Sequence, residues 1–198
     1  MRKCKRFFDL FFTILGLPFL FPLFVIVALL IKIEDGGPVF FVQKRIGYKG
    51  KAFYMWKFRT MVIDAEKKGG LITVGKDPRI TRIGYYLRKF KLDEFPQLFN
   101  VLKGEMSLVG PRPEVEKYVM LYNSEQREVL NLIPGMTDPA SIKYVNENEI
   151  LAQADDPEKV YIEQVMPEKI RLNLEYAEKA TCCSDFLIII KTFFRIFE

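Results

Sequence analysis

The chain has 198 residues, a formal net charge of +5 and a pI near 9.0, a length that suits one medium domain with a real core and not two. It contains no histidine, which excludes imidazole base catalysis, His-ligated metals and Ser-His or Cys-His nucleophiles. Acid–base or nucleophilic work falls to carboxylates, lysine, tyrosine or cysteine. The mild basic excess suits phosphorylated small molecules, anionic lipid or nucleic acid. Nucleic acid is disfavoured, because aromatic and basic residues do not interleave on one identifiable module.

Basic residues Arg2, Lys3, Lys5 and Arg6 open the chain, and no charge follows from Leu10 to Ile31. As a helix that run reaches roughly 33 Å, enough to span a bilayer. It lacks a small-residue cleavage site, so it does not read as a signal peptide. Pro18 and Pro22 fall inside it and predict a kink near its middle. Lys32, Lys44 and Arg45 follow it, so both flanks are positive and charge alone leaves spanning and re-entry open. Cys4, Cys182 and Cys183 show no metal-ligand spacing and read as reduced thiols facing a cytoplasm.

Short aromatic and β-branched runs around Gly-Tyr-Lys-Gly predict a hairpin of Val39–Gln43 and Ala52–Arg59. Residues 64–78 read as a loop. "DPRITRIGYYLRKFKL" sets Ile80, Ile83, Leu87 and Phe90 at helical spacing, an amphipathic helix with a basic face. Asp93 suits the cap of a following helix with Pro96 in its first turn, ending at Gly104. Residues 114–133 predict another helix, closed before Pro134-Gly135, as do 167–180 and 184–197. In the last, Lys191 and Arg195 lie four apart among phenylalanines, a pattern that fits a membrane surface or a terminal helix packed on the core. The fold class is α+β and mostly helical, with a membrane anchor over 1–33 and a catalytic unit over 34–198.

Asp93 and Glu94 are adjacent acids with Arg88, Lys89 and Lys91 before them and Lys103 and Arg112 after. Helix capping explains such a pair without chemistry. Three features favour chemistry: the surrounding cations, the proline-stiffened "GPRPE" turn that fixes Arg112 for phosphate contact, and the lack of histidine. A carboxylate attacking a phosphoryl centre needs repulsion offset by arginine, helix-terminal N–H groups or a divalent cation such as Mg²⁺. The residues by themselves reach a phosphate-handling enzyme at a membrane.

Four stretches carry a family resemblance: "RFFDLFFTILGLPFLFPLFV", "VFFVQKRIGYKGKAFYMWKFRTM", "RITRIGYYLRKFKLDEFPQLFNVLKGEMSLVGPRPE" and "PGMT". Together they resemble the bacterial sugar transferases, the small monotopic phosphoglycosyl transferases. The resemblance implies transfer of a sugar 1-phosphate from a UDP-sugar to polyprenyl (undecaprenyl) phosphate, with release of UMP and a need for Mg²⁺. It implies Asp93 as nucleophile, forming a phosphosugar-aspartate, and as a metal contact, with Glu94 assisting proton removal or metal placement. It further implies a re-entrant helix broken at Pro22, both ends cytoplasmic, at the inner face of a bacterial cytoplasmic membrane. Lys57, Arg59, Arg88 and Arg112 match basic positions near the family's site, and Asp185 matches an acid before its C-terminal helix. After "PGMT" the family pattern continues with a glycine and "QVNGR", whereas this chain reads "DPASIKYVNEN". Val145 stands where the arginine would fall; either Lys143 replaces the charge or the "DPASIKYVNEN" stretch reshapes the pocket over the sugar or uridine, so the family's donor is not carried over. Single-displacement transfer with Asp93 only a metal ligand, and a non-catalytic membrane scaffold, are the competing readings. Membrane phospholipid is an expected partner. Downstream glycosyltransferases and a second copy of the chain are admissible ones.

Overall fold

A computed structural model describes residues 3–65, 73, 75 and 77–195. Helix α1 runs over Lys3–Asp35, 33 residues, about 50 Å at 1.5 Å per residue. It passes through Pro18 and Pro22 without interruption, so the turn expected at Pro22 is not a gap between two helices. The prolines lack backbone donors, which leaves bonds missing from the helix ladder at its middle. One stripe of α1 is covered throughout: Asp9, Thr13, Val27 and Ile31 are buried, with Gly16, Leu20 and Phe24 half-buried between them. The opposite face exposes Phe7, Phe11, Phe19, Phe21, Ile26 and Ile33.

Both ends of α1 are fastened to the same body. Lys5 pairs with Asp185, and Arg6 donates to the Leu102 carbonyl at 2.8 Å. Asp9 accepts from the Ser107 hydroxyl at 3.0 Å and the Leu108 N–H at 3.1 Å. At the other end Glu34 accepts from the Arg82 N–H at 2.7 Å, and Asp35 takes the Arg59 guanidinium through two bonds.

The expected hairpin is present as β1 (Phe40–Ile46) and β2 (Ala52–Phe58), antiparallel with Phe40 opposite Phe58 and Ile46 opposite Ala52. Strand alternation puts Lys57 on the same face as Phe53 and Met55, both buried against Val101 and Met106. Helix α2 (Arg82–Lys89) starts at Thr81, whose hydroxyl accepts from the Gly84 N–H at 3.0 Å. Gly84 lies so close to the Thr60 carbonyl that a Cβ there would sit 2.0 Å from its oxygen, so only glycine lets α2 touch the strand end. Helix α3 (Gln97–Lys103) stops at Gly104, φ 82°, as the sequence predicts. Asn100 of α3 is fully buried and serves as a surrogate strand for β2, accepting from the Trp56 N–H at 3.1 Å and donating to the Tyr54 carbonyl at 2.8 Å.

A parallel pair, β3 (Ser107–Val109) and β4 (Gly135–Thr137), was not anticipated. The long helix expected over 114–133 is corrected: it divides into α4 (Glu116–Val119) and a 3-10 stretch, Gln126–Asn131. Asn123 and Gln126 cause the division by bonding each other's backbone N–H groups at 2.8 and 3.0 Å, which offers the chain an alternative to the helix ladder. There follow α5 (Pro139–Lys143), α6 (Glu147–Ala152), α7 (Pro157–Val160), a π turn at Tyr161–Val165, α8 (Met166–Lys179) and α9 (Cys182–Arg195). The main core gathers Val115, Tyr118, Val129, Leu151, Met166 and Ile170. Helix α9 leaves Phe186, Leu187, Phe193 and Phe194 exposed, and Phe186 lies 6.1 Å from Phe12 of α1. The expected loop at 64–78 falls mostly outside the described residues.

Candidate active site

Lys91 adopts a left-handed conformation, φ 54°, after α2. The chain then folds into a 3-10 turn, Leu92–Glu94, before α3. Asp93 and Glu94 therefore project from a turn and face different surroundings. Neither caps α3, whose N-cap is Pro96 with no side-chain bond, so the capping explanation for the pair does not hold.

The pair borders a cavity of about 720 Å³, within the size range of ligand sites. Asp93 is 7% exposed, and its Oδ1 is buried without a hydrogen-bond partner. Glu94 is saturated: the Arg112 guanidinium grips it through both nitrogens, one at 2.9 Å, and the Lys57 ammonium donates to it at 3.1 Å. The electrostatics split the two acids. Burial, reinforced by the Glu94 charge, raises the Asp93 carboxyl above the usual aspartate range. Burial works on Glu94 in the same direction, but Arg112 and Lys57 outweigh it and hold Glu94 well below the glutamate range. Burial lowers the Lys57 ammonium against the pull of Glu94. Arg88 also lines the cavity, braced by the Thr60 hydroxyl at 2.9 Å, and burial lowers it too.

Arg112 is held from both sides of its proline turn. Asp138, fully buried, accepts from the Arg112 N–H at 3.0 Å while capping α5 through the Ser141 N–H at 2.6 Å. Arg45 donates to the Pro113 carbonyl at 3.0 Å, and Glu114 accepts from the Tyr161 hydroxyl at 2.6 Å. Sequence reasoning did not single out Asp138, Arg45, Glu114 or Tyr161; only Asp-Pro before a short helix hinted at the Asp138 cap.

The structure thus brings Lys57, Arg88, Asp93, Glu94 and Arg112 together. Arg59 borders the cavity, but its guanidinium is bound to Asp35 and to the Pro38 and Met61 carbonyls. Lys143 pairs with Glu168 at 2.8 Å, outside the cavity lining. Val145 does line the cavity, as does Lys169, which pairs with Glu147 at 2.8 Å. Asp185 is 1% exposed, bound to Lys5 and Tyr176 and absent from the lining.

The family model described as "Bacterial sugar transferase" matches residues 1–198. The chain belongs to the bacterial sugar transferase family. It is 35% identical over 193 residues to the UDP-N-acetylgalactosamine-undecaprenyl-phosphate N-acetylgalactosaminephosphotransferase of Aeromonas hydrophila, covering 95% of this chain and 42% of that one. It is 37% identical over 198 residues to the undecaprenyl-phosphate glucose phosphotransferase of Komagataeibacter xylinus, covering 96% and 35%. It is 34% identical over 203 residues to the exopolysaccharide production protein ExoY of Sinorhizobium fredii, covering 95% and 83%. The chain spans less than half the length of the first two. Membership of this transferase family agrees with a cavity lined by clustered cations and one unpartnered carboxylate oxygen.

Proposed function

We propose that this chain transfers a sugar 1-phosphate from a UDP-sugar to undecaprenyl phosphate by way of a phosphosugar-aspartate on Asp93. The observation that carries this reading is the contrast within the acid pair: Glu94 is saturated by Arg112 and Lys57, whereas Asp93 Oδ1 has no partner at the cavity wall. In the first step the Asp93 carboxylate oxygen attacks the sugar-bearing phosphorus. The bond from that phosphorus to the bridging oxygen breaks, and UMP leaves with the electron pair. In the second step an oxygen of undecaprenyl phosphate attacks the same phosphorus and Asp93 is released. Arg112, Lys57 and Arg88 stabilise the charge that builds on the phosphoryl oxygens.

Asp93 Oδ1 fits a Mg²⁺ ion that arrives on a diphosphate, because such ions are held by one or two carboxylates plus substrate phosphates. Among the described residues no group of three or more acids or cysteines could hold a metal by itself. The ion supplies charge neutralisation of the diphosphate when bound; the protein's part is to present one carboxylate and three cations.

The proposed membrane placement rests on α1. Its two ends bond to one body while its outer face is apolar, which supports the reading that both ends lie on the same side of the membrane. On this reading the body lies on the cytoplasmic face, where a UDP-sugar donor is supplied.

The deciding experiment measures UMP release from a panel of UDP-sugars with undecaprenyl phosphate and Mg²⁺, alongside trapping of a labelled phosphosugar on protein without acceptor. Burst labelling that vanishes in Asp93→Asn supports the reading. Ternary-complex kinetics without UMP/UDP-sugar exchange would sink it in favour of single displacement.

A further inference from the structure

Two of the three cysteines come from opposite ends of the chain and meet. Cys4 stands near the start of α1 and Cys182 begins α9, 178 positions apart, with their Sγ atoms 2.9 Å from each other. Disulfide bonding needs about 2.05 Å, so the sulfurs have roughly 1 Å left to close. Contacts beside them hold the two helices in place: Lys5 of α1 pairs with Asp185 of α9, which also accepts from the Tyr176 hydroxyl of α8. The two thiols are thus held side by side by the packing of α1 on α9. Cys4 is exposed and Cys182 half-buried, so a small reagent can reach the pair.

We infer that Cys4 and Cys182 form a modification site, oxidised by low-molecular-weight disulfides to an intrachain bridge that fastens the start of the anchor helix to α9. The chemistry is thiol–disulfide exchange. One thiolate attacks a sulfur of the oxidant R–S–S–R, forming a mixed disulfide and expelling one thiolate. The second cysteine attacks the protein sulfur of that mixed disulfide and expels the other. Cys4 and Cys182 lose two protons and two electrons, and two R–SH are produced. The bridge fastens the start of α9, and the far end of that helix contributes Thr192 and Arg195 to the cavity lining, with the Thr192 hydroxyl bonded to Thr137 of β4 at 2.6 Å. Cys183 is a neighbour in sequence that takes no part.

The test uses the full chain, dilute in detergent, treated with oxidised glutathione. Free thiols should fall from three to one per chain and return to three with dithiothreitol, with mass spectrometry showing one linked peptide joining the segments around Cys4 and Cys182. Cys183→Ser should fall from two thiols to none. Cys4→Ser and Cys182→Ser should each stop at the mixed disulfide, gaining one glutathione at the remaining cysteine of the pair and giving no linked peptide. Three thiols persisting after oxidation, or a bridge involving Cys183 or a second chain, would overturn the assignment.

Discussion

Glu94→Gln tests the division of labour in the acid pair. The side chains of Glu94, Lys57 and Arg112 are 16%, 17% and 27% exposed, so these ions are largely withdrawn from water. Glutamine keeps the shape but not the charge, leaving two buried cations with no anion between them. Removing one partner of a buried ion pair costs about 3–5 kcal/mol; the residual exposure of Arg112 favours about 3. For a chain of this size that lowers the melting midpoint by about 6–12 °C. The pH dependence gives a second check. Burial sets the folded Lys57 below its ordinary value of 10.5, and loss of Glu94 lowers it further. Between that folded value and 10.5 the unfolded chain binds more protons, so stability rises with pH there and the deficit of the variant narrows on the alkaline side. The assay is thermal melting in detergent from pH 6.5 to 9.5, with Lys57→Met/Glu94→Gln closing the cycle. A variant that melts within 1–2 °C of wild type (about 0.5 kcal/mol), or a deficit flat across that range, would refute the charge-pair reasoning.

Asp93→Asn should lower UMP release by about 10⁴-fold or more and remove covalent labelling, while the midpoint stays level or rises because a buried charge is gone; turnover near wild type would refute the nucleophile. The acid limb of kcat/KM should lie above the ordinary aspartate value of 3.8, since Asp93 must be ionised to attack and its carboxyl is raised in the fold; a limb at or below 3.8 would contradict this. Lys143→Ala should change turnover less than twofold (about 0.4 kcal/mol), whereas Lys169→Met should change the donor KM several-fold, with steady-state kinetics across UDP-sugars as the measure and equal effects as the disproof. Asp185→Asn should cost about 3 kcal/mol of stability by unpairing Lys5, yet keep wild-type turnover per folded molecule. A specific loss of turnover at unchanged stability would return Asp185 to the substrate site.

Much of the candidate site was legible because its residues are local in sequence. Asp93 and Glu94 are adjacent, Arg112 sits on a proline turn, and Gly104 marks the end of α3 by the left-handed conformation it alone takes easily. The hairpin was legible from its turn residues, although β1 runs three residues further than expected. What stayed hidden depends on contacts between distant segments. Lys143 and Lys169 cannot be told apart by charge; only the packing of α5 on α8 decides that one meets Glu168 outside and the other Glu147 at the cavity. Arg59 and Asp185 have the residue types of a phosphate site, but the ends of α1 claim both. The β3–β4 pair is too short to produce an alternating pattern, and its Gly135 is needed because a Cβ there would fall 2.1 Å from the Gly110 nitrogen.

The charge balance at the site also decides what Glu94 can do. The resemblance to the family leaves it as proton acceptor or metal partner, but a carboxylate held by Arg112 and Lys57 well below its ordinary range is a weak base at neutral pH. The acceptor has little need of one: a phosphate monoester loses its second proton near pH 6, so most of it arrives already as the dianion. In the proposed mechanism the greater difficulty is repulsion, since an ionised Asp93 would approach an anionic phosphorus and a second anion would then approach the aspartyl phosphate. Lys57, Arg88 and Arg112 give three positive charges against the two of Asp93 and Glu94. Glu94 keeps two of those cations in place before substrate arrives, and each can turn part of its hydrogen-bonding capacity to the diphosphate without leaving the carboxylate. On this reading Glu94 serves the reaction as a fixed counter-charge that pre-positions the phosphate-binding cations, while Asp93, raised and unpartnered, is the group left free to react.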